Sequence, residues 1–461
     1  MKKIIKLLII ITFIVLSSIL VYSINKLGLV PNKYLYIGIA GLVILNLIAA
    51  LLLLSKKLIP KIFSVLIYIL LLFAIVSGFY VCNTTNNFLD KAFNNVNNEL
   101  VLNYYILSTK DIKKEDLRDQ NIYYLDNIDY VKDAIAEINK NYKPNMIPSI
   151  DIEEVINQEI FMLDKSTISL LTESYNFDIN KYYIIDVLEL KYEIETPKAT
   201  TDSKKHYYNI FVGGHDFSGV HMDMNKIITV NTETREVLIT NIHRFTYLDV
   251  PGYNQKNTLS SMGVWGVNNN VKALEQELGI KIDYYLVADA EGLPILIDDV
   301  GGIEYCSDKD FVTYHKTTLD YKNDTGYNVH VKKGCQHLNG IETLTVARER
   351  LAFYYGAAER DKNDTEIMID ILEAMKKPSN ITNYSSILND VSGLYTTSIP
   401  REVMTNGIKE LLNSKIIISK QELDGRNGTD RVNFSNMKGA VVYVDEASKQ
   451  EVISKIKSLD K

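Results

Sequence analysis

Three long apolar runs dominate the start of the chain. They cover roughly residues 7–24, 34–54 and 62–82. As helices rising 1.5 Å per residue, each run is about long enough to cross a bilayer core of ~30 Å. A signal peptide is the competing interpretation of the first run, since three lysines precede it, but no small-residue cleavage site follows. The pattern predicts a membrane anchor of three transmembrane helices over residues 1–82.

The lysines around these runs predict the orientation of the anchor. Three lysines precede the first run and three lie in the linker 55–61, whereas the linker between the first two runs holds two. Basic residues close to membrane spans are enriched on the cytoplasmic side. We therefore expect a multi-pass protein of the cell membrane, with its N-terminus and second linker in the cytoplasm and everything after about residue 82 extracytoplasmic.

Residues 83–205 have a mixed pattern that predicts a separate, small α+β accessory domain. An Asn-rich stretch over 83–97 suits a connector next to the membrane, residues 166–175 have helical spacing, and 182–192 are rich in β-formers. The polar residues 198–205 follow a proline and predict a link to the next domain. The segment contains no metal-ligand spacing, nucleophile elbow or glycine-rich phosphate loop, so we interpret it as a scaffold or docking domain.

Residues 206–461 alternate between strand and helix patterns, which is typical of an α/β layer fold. The predicted strands cover residues 208–212, 226–230, 236–240, 284–287 and 303–306. The predicted helices cover residues 268–278, 292–300, 339–347 and 365–375, and two or three further elements close the domain.

Charge and cysteine content narrow the function classes. The formal net charge is −7, and the first 82 residues hold eight lysines and no acidic residue, so the remainder carries about −15 (−7 minus +8). Such an acidic ectodomain excludes non-specific nucleic-acid binding, which needs a basic surface. Cys306 and Cys335 either pair in an oxidising compartment or remain free thiols, and Cys82 is interpreted as an ordinary apolar residue.

Arginine is scarce, which draws attention to where it occurs. The chain has nine arginines against 41 lysines, and four of the nine fall in the segments 242–244, 347–350 and 359–362. Guanidinium groups bind phosphate oxygens bidentately and stay charged at physiological pH. Arg348 and Arg350 share a face only if the chain is extended there, just past a helix end. The alternative is four solvated surface arginines.

Two aspartates complete a candidate phosphate site. Asp216 follows a β-rich run, which places it at the carboxyl edge of a strand, where open α/β sheets bind ligands. Asp223 comes seven residues later, at the start of the next predicted strand. Paired carboxylates at one sheet edge suit Mg²⁺ or Mn²⁺ beside a phosphate. The alternative is that either aspartate only caps a turn.

A series of short motifs over residues 209–375 resembles the LytR–CpsA–Psr family, in particular its capsule-type branch with three membrane spans and an accessory domain. No single motif is decisive, but their order and spacing together are specific. They are Gly214-His215-Asp216, Met222-Asp223 with Thr229-Val230-Asn231, His243-Arg244-Phe245, Asp298-Asp299-Val300-Gly301-Gly302-Ile303, Leu338-Asn339-Gly340, Arg348-Glu349-Arg350 and Arg360-Asp361-Lys362-Asn363.

The resemblance implies an α/β/α layered domain with a central mixed sheet, and an enzyme of the cell wall. Such proteins move an anionic polysaccharide of capsule or teichoic-acid type from a polyprenyl-(pyro)phosphate carrier onto peptidoglycan by phosphotransfer. The carrier's tail would need an apolar tunnel, for which the predicted helices 268–278 and 292–300 are candidates. The residues implicated are Arg244, Arg348, Arg350 and Arg360 as catalytic and substrate-binding groups, Lys362 and Asp364 as substrate-binding groups, and Asp216 and Asp223 as ligands of Mg²⁺ (or Mn²⁺).

Three positions depart from the family's pattern. The aspartate expected after Pro-Arg is Phe245, an acidic position in the loop after Arg350 is Ala357, and an expected glutamine is Asp364. Asp364 either supplies a replacement carboxylate or repels the phosphates. A competing hypothesis is therefore a weakened homologue that binds the carrier and acts as an assembly or regulatory factor. A third hypothesis, a transcriptional regulator, is disfavoured by the acidic composition and the predicted orientation.

Overall fold

A computed structural model describes most of the chain. The residues it describes are 2–93, 99–126, 130–175, 177–193, 205–216, 219, 221–317, 326–353, 356–381, 383–413, 415–433 and 435–460.

The first three elements are long apolar helices, as the hydropathy pattern predicts. They are α1 (Lys2–Leu27), α2 (Asn32–Leu54) and α3 (Leu58–Ala92), and each is long and apolar enough to cross a membrane. Polar side chains join them where they cross: Ser64 Oγ donates to the carbonyl oxygen of Ala49 at 2.7 Å. The predicted connector 83–97 is helical as far as Ala92, and residues 94–98 lie outside the described part of the chain.

The accessory module is a five-stranded mixed sheet with helices. Its elements are β1 (Glu99–Ser108), β2 (Asn121–Leu125), α4 (Val131–Asn141), β3 (Asn145–Ser149), α5 (Ile152–Ile156), β4 (Ile160–Asp164), α6 (Lys165–Tyr175) and β5 (Tyr183–Glu193). The strand order is β3-β2-β4-β1-β5, with β1 antiparallel to both of its neighbours. The predicted link 198–205 lies outside the described residues except for Lys205.

The remaining elements contain every strand and helix predicted for residues 206–375. The strands are β6 (Tyr207–His215), β7 (Met222–Asn231), β8 (Glu236–Ile242), β9 (Tyr247–Asp249), β10 (Lys256–Thr258), β11 (Tyr284–Asp289), β12 (Ile303–Ser307), β13 (Phe311–Lys316), β14 (Asn328–Val331), β15 (Gly334–Leu338), β16 (Tyr395–Thr397), β17 (Ile417–Leu423), β18 (Gly425–Arg431) and β19 (Lys438–Val444). The helices are α7 (Leu259–Met262), α8 (Val267–Leu278), α9 (Gly292–Asp299), α10 (Gly340–Arg348), α11 (Gly356–Met375), α12 (Pro378–Ile381), α13 (Tyr384–Asp390), α14 (Arg401–Asn413) and α15 (Glu446–Ser458).

The central sheet has six strands in the order β16-β11-β6-β7-β8-β17. β11 runs parallel to β6, and β8 runs parallel to β17, while β6, β7 and β8 pair antiparallel. Alternate residues of β11 point to opposite faces: Tyr285 and Val287 join the core that contains α8, while Leu286 and Ala288 face α9 and α11. The predicted α/β/α layers and mixed sheet are confirmed.

Local sequence signals explain where two of the helices begin and end. Asn339 caps α10, because its side chain accepts from the backbone N–H of Glu342 while the Glu342 carboxylate accepts from the backbone N–H of Asn339. Gly279 ends α8 in the left-handed conformation at φ +59°, which glycine adopts without strain.

The C-terminal hairpin connects the central domain to the accessory module. Val432 and Val441, from the hairpin of β18 and β19, are buried together with Phe161 and Leu163 of β4. Hydrophobic packing is therefore continuous across the boundary predicted near residue 205. The division into residues 1–82, 83–205 and 206–461 stays a prediction.

The two ectodomain cysteines form a disulfide. Cys306 on β12 lies directly opposite Cys335 on β15, and the structure joins them. Of the two alternatives left open by the sequence, the structure contains the paired form, while Cys82 is a buried free thiol in α3.

Candidate functional site: a charged pocket above an apolar cavity

A cavity of about 980 Å³ lies on the α11 face of the central sheet. One end is charged, and the rest is lined mostly by apolar side chains. The ionisable lining residues are Lys165, His215, Asp216, Asp223, Asp289, His315, Arg348, Arg350, Arg360 and Asp364. The cavity therefore combines a polar end with a hydrophobic interior.

Strand pairing positions the two candidate metal ligands. Asp216 directly follows β6 and Asp223 is the second residue of β7, and the two strands are antiparallel neighbours. The end of β6 and the start of β7 therefore lie at the same edge of the sheet. Asp216 accepts from the backbone N–H of His221 at 3.2 Å, and its own N–H donates to the carbonyl oxygen of His221 at 2.9 Å, which joins the two strand ends.

Asp223 is held between two buried arginines. Arg244 Nη1 lies 2.6 Å from its Oδ1, and Arg360 Nη1 lies 3.5 Å from its Oδ2. Burial alone would raise the pKa of Asp223, but the two guanidinium charges outweigh it and lower the pKa to about 2. Asp223 is therefore ionised at neutral pH and orients both arginines.

Arg244 lies behind Asp223 and is not among the residues that line the cavity. It is 3% exposed, and its guanidinium carbon sits 4.4 Å from the centre of the Phe245 ring. A cation–π contact thus occupies the place where the resemblance described above leads us to expect a carboxylate. Arg244 is suited to positioning Asp223 rather than to touching a ligand in the cavity.

Arg348 and Arg350 both reach the cavity because the chain is extended between them. Arg348 is the last residue of α10, and Glu349 has extended backbone angles of φ −69° and ψ 128°. The fully buried Glu349 carboxylate points the other way and accepts from the backbone N–H groups of Tyr314 and Ala352. Burial lowers the pKa of Arg348 to about 10, which leaves it charged at neutral pH.

α11 brings Arg360 and Asp364 to the cavity one turn apart. Arg360 is 5% exposed, its Nη2 donates to the carbonyl oxygen of Asp223 at 2.9 Å, and its buried Nε has no hydrogen-bond partner among the described residues. Burial raises the pKa of Asp364, against the opposing charges of Arg360 and Lys226, to about 7. Asp364 therefore changes its charge close to physiological pH.

The structure places two residues of this helix differently from what the sequence analysis expects. Lys362 does not line the cavity: it is exposed on another face of α11, with its ammonium 3.9 Å from Glu359, because two residues along a helix turn by about 200°. Ala357 lies in the first turn of α11 rather than in a loop, and its side chain lies outside the described part of the structure.

Lys226 is a buried residue that the sequence analysis did not single out. It is 1% exposed, and its Nζ lies 2.6 Å from Asn241 Oδ1, 2.9 Å from Thr365 Oγ1 and 3.3 Å from the Asp361 carbonyl oxygen. Burial lowers its pKa. The available signal was a lysine inside a predicted strand of otherwise apolar and β-branched residues. The Lys226 side chain joins β7 to the turn of α11 that carries Arg360 and Asp364.

The donor set at the charged end is compatible with a magnesium ion. Asp216 and Asp223 both line the cavity, and among the described residues no cluster of three or more His, Cys, Asp or Glu side chains could hold a metal on its own. Mg²⁺ is commonly bound by one or two carboxylates, with water and substrate phosphate completing its shell. The two aspartates therefore fit a metal that is shared with a phosphate ligand.

The apolar part of the cavity is lined by α9, α11 and α14. Leu293 and Leu296 come from α9, and Ile367 and Ile371 from α11. The expectation that the helix 268–278 lines it as well is wrong, because the apolar side of α8 packs into the core on the opposite face of the sheet.

A second cavity of about 450 Å³ adjoins the charged end from the side of the accessory module. β1 and the start of α6 form one wall, and the end of β6 and the segment after β11 form the other. His215, Asp216 and Asp289 line both cavities, and His215 Nδ1 lies 3.0 Å from Asp289 Oδ1. The charged end therefore lies between the two cavities.

The chain is similar to several known proteins. The chain is 23% identical over 273 residues, covering 58% of this chain and 82% of the relative, to polyisoprenyl-teichoic acid–peptidoglycan teichoic acid transferase TagU of Bacillus mycoides (strain KBAB4). It is 28% identical over 207 residues, covering 42% of this chain and 50% of the relative, to the transferase TagV of Bacillus subtilis (strain 168). The crystal structure of B. subtilis TagV aligns with a TM-score of 0.45 at 23% identity, covering 56% of this chain and 98% of that one.

The family match is broader than any of these pairwise alignments. The LytR_cpsA_psr family matches residues 168–458, which is well over half of the chain and begins within α6 of the accessory module. The chain belongs to the LytR–CpsA–Psr family.

Proposed function

We propose that this protein transfers a glycopolymer from a polyprenyl-(pyro)phosphate carrier onto peptidoglycan by phosphotransfer. One observation carries the proposal: three arginines and four aspartates line one end of a cavity whose remaining walls are largely apolar. A lipid pyrophosphate has that same division between an anionic head and a long apolar tail. The names of the two relatives above favour a teichoic-acid type of polymer, and a capsule-type polymer is the alternative.

The arginines supply the phosphate chemistry. Arg348, Arg350 and Arg360 line the charged end, and Asp223 orients Arg360 from the opposite side. Guanidinium groups form paired hydrogen bonds with phosphate oxygens, and in a site shielded from water they stabilise charge that develops during transfer. Arg244 acts through Asp223, so we assign it a positioning role.

In the proposed reaction, an acceptor hydroxyl oxygen forms a bond to the phosphorus that carries the polymer. The bond from that phosphorus to the bridging oxygen of the carrier breaks, and polyprenyl phosphate leaves with the electron pair. The hydroxyl proton passes to a base, for which the Asp364 carboxylate, with its pKa of about 7, is the candidate in the cavity. The three cavity-lining arginines stabilise the leaving phosphate.

Asp216 and Asp223 would hold Mg²⁺, or Mn²⁺, against the phosphate oxygens. The metal would neutralise phosphate charge and orient the pyrophosphate. The arginines that line the cavity would hold the head group at the sheet edge, and the apolar part of the cavity would keep the tail out of water.

We also propose that the domain lies on the outer side of the cell membrane. The structure puts the α1–α2 turn and the end of α3 against the ectodomain, while the lysine-rich linker 55–61 is at the other end of the bundle. The disulfide between Cys306 and Cys335 suits an oxidising, extracytoplasmic compartment. Peptidoglycan and the lipid-linked polymer are the expected partners there.

The test is transfer by the full-length protein in lipid vesicles, given a polyprenyl-pyrophosphate glycan, peptidoglycan oligomers and Mg²⁺. We expect transfer that disappears with chelator and with Arg348→Ala, whereas Arg426→Ala, at an exposed arginine of β18, keeps it. Activity that survives both chelator and Arg348→Ala would refute the assignment of the site.

A second candidate function is a carrier-binding homologue without turnover. The replacement of a carboxylate by Phe245 beside Arg244 favours it, because one orienting group for the arginine is gone. Tight binding of the lipid with no transfer under any divalent metal would select this alternative.

A further inference from the structure

The outer ends of the membrane helices are packed against the globular domain. Leu27, Leu29, Leu89 and Phe93 belong to one buried cluster that also contains residues of α9, α10 and α11. The membrane anchor and the apolar cavity therefore share a common hydrophobic wall.

α14 is the element that connects the two. Met404 and Ile408 lie one turn apart on this helix, line the cavity, and pack against the same cluster as the membrane helices. Phe93, the residue directly after α3, is 7% exposed and lines the cavity as well. The apolar end of the cavity is thus formed by side chains from the membrane anchor and from α14.

Polar contacts hold α14 in place beside the membrane helices. Arg401 Nη2 donates to Asn86 Oδ1 at 2.6 Å, and its Nη1 pairs with Asp90. On the other side, a side-chain carbon added to Gly28 would lie 3.5 Å from Thr405 Cβ, so the α1–α2 turn touches α14 directly. Both contacts are at the outer ends of the membrane helices, which places α14 at the bilayer surface.

We propose that α14 and the outer ends of α1 and α3 form a lateral passage, through which the apolar tail of the carrier moves between the bilayer and the cavity. The inference rests on the proposed lipid substrate. A tail that left the membrane through water would expose every methylene group, which is unfavourable in proportion to the area exposed. A passage bounded by Phe93, Met404 and Ile408 avoids that exposure. The additional membrane helices then guide the substrate as well as anchor the domain.

The passage is tested by locking α14 to the membrane helices. Gly28→Cys with Thr405→Cys places two cysteines at a separation that suits a disulfide. The protein is placed in vesicles that contain a photoreactive long-chain polyprenyl phosphate, and labelling is compared with that by a water-soluble short-chain analogue. We expect oxidation to lower long-chain labelling by about tenfold and reduction to restore it, while short-chain labelling persists. The single variant Thr405→Cys, treated identically, controls for the native disulfide.

The remaining outcomes decide against the passage, the lipid assignment or turnover. Unchanged long-chain labelling in fully locked protein overturns the passage, as does an equal loss of both labels. If neither analogue labels the wild-type protein, the lipid assignment itself is wrong. Labelling without transfer rules out turnover but leaves the passage standing.

A second measurement does not depend on the fold tolerating a residue at Gly28, where φ is +71°. A photoreactive amino acid replaces Met404, and in a matched control replaces the exposed Glu402 on the same helix. Capture of the long-chain lipid from position 404 but not from 402 supports the passage. Equal capture from both positions contradicts it.

Discussion

At the scale of single residues, the site is organised around the charge of Asp223 and the variable charge of Asp364. Asp223 stays ionised because two arginines surround it, so it acts as a permanent anion. Asp364, one turn from Arg360, has a pKa of about 7. The number of negative charges facing a bound phosphate therefore depends on pH, and this gives a direct test of its role.

We expect carrier binding to strengthen roughly three- to tenfold as the pH falls from about 8 to about 6, because protonation of Asp364 removes a repulsive charge. Asp364→Asn should flatten this dependence in a titration of lipid binding. Asp370→Asn is the matched control, because burial also raises the pKa of Asp370, to about 6, but Asp370 does not line the cavity. Unaltered pH dependence in Asp364→Asn would exclude this residue as the titrating group.

The same shift predicts how stability depends on pH. The folded-state pKa of Asp364 lies above its ordinary value of 3.8, so its contribution to stability is complete at low pH and is lost as the pH rises through about 7. Asp364→Asn should therefore raise the unfolding temperature more at about pH 8 than at about pH 5 relative to wild type. A thermal melt across that range measures it, and a uniform shift at every pH would contradict it.

Phe245→Asp should increase the rate of transfer by about tenfold if the missing carboxylate limits turnover, because it would give Arg244 a further ionic partner. Phe245 is only partly buried, so the change need not disrupt the core. Phe245→Asn serves as the uncharged control in the vesicle assay. Equal rates in both variants would show that charge at this position does not limit the reaction.

At the scale of elements, the disulfide closes a loop that supports the arginines. Its 29-residue span contains β13, whose backbone holds the buried Glu349 between Arg348 and Arg350. Cys335→Ser should lower the free energy of unfolding by roughly 2–4 kcal/mol. Cys82→Ser, at the free cysteine of α3, is the comparison. Carrier binding in Cys335→Ser should also weaken. A loss of stability with unchanged carrier binding would show that the loop does not support the site.

The cap of α10, the helix that ends at Arg348, makes its own contribution to stability. Asn339→Ala should cost about 1 kcal/mol, since it leaves a backbone N–H at the start of the helix without its side-chain partner. Chemical unfolding of Asn339→Ala beside Asn389→Ala, at an exposed position of α13, measures the cost. Equal denaturant midpoints of unfolding for the two variants would mean that the cap contributes nothing to stability.

The comparison between sequence and structure is clearest at this scale. Elements with one dominant periodicity, such as α8 and β7, were predictable from local pattern. The continuation of α3 to Ala92 was not, because its polar residues Asn86 and Asp90 find their partner in Arg401, more than 300 positions away. Likewise, the order of motifs identified the arginines, but the face of α11 that meets the sheet decided that Asp364 lines the cavity and Lys362 does not.

At the scale of the whole molecule, the orientation across the membrane is the property on which the proposed function depends. Single cysteines are introduced at Lys57, in the second linker, and at the exposed Lys191, on β5. In intact cells, the two cysteines should differ in their labelling by a reagent that cannot cross the membrane. A membrane-impermeant maleimide should label Lys191→Cys and spare Lys57→Cys, in keeping with the distribution of lysines. Labelling of Lys57→Cys alone would reverse the topology and revive an intracellular role.

The order of strands in the central sheet has a consequence for biosynthesis. Both edge strands, β16 and β17, come from residues beyond 394, and the hairpin that binds the accessory module follows them. A nascent chain that has already inserted its three N-terminal helices therefore cannot complete its sheet until nearly all of the polypeptide has been synthesised. In the proposed topology, the domain would therefore cross the membrane before this sheet is complete. We expect loss of residues 417–461, which removes β17 together with the hairpin, to expose the edge of β8 and to direct the protein to proteolysis.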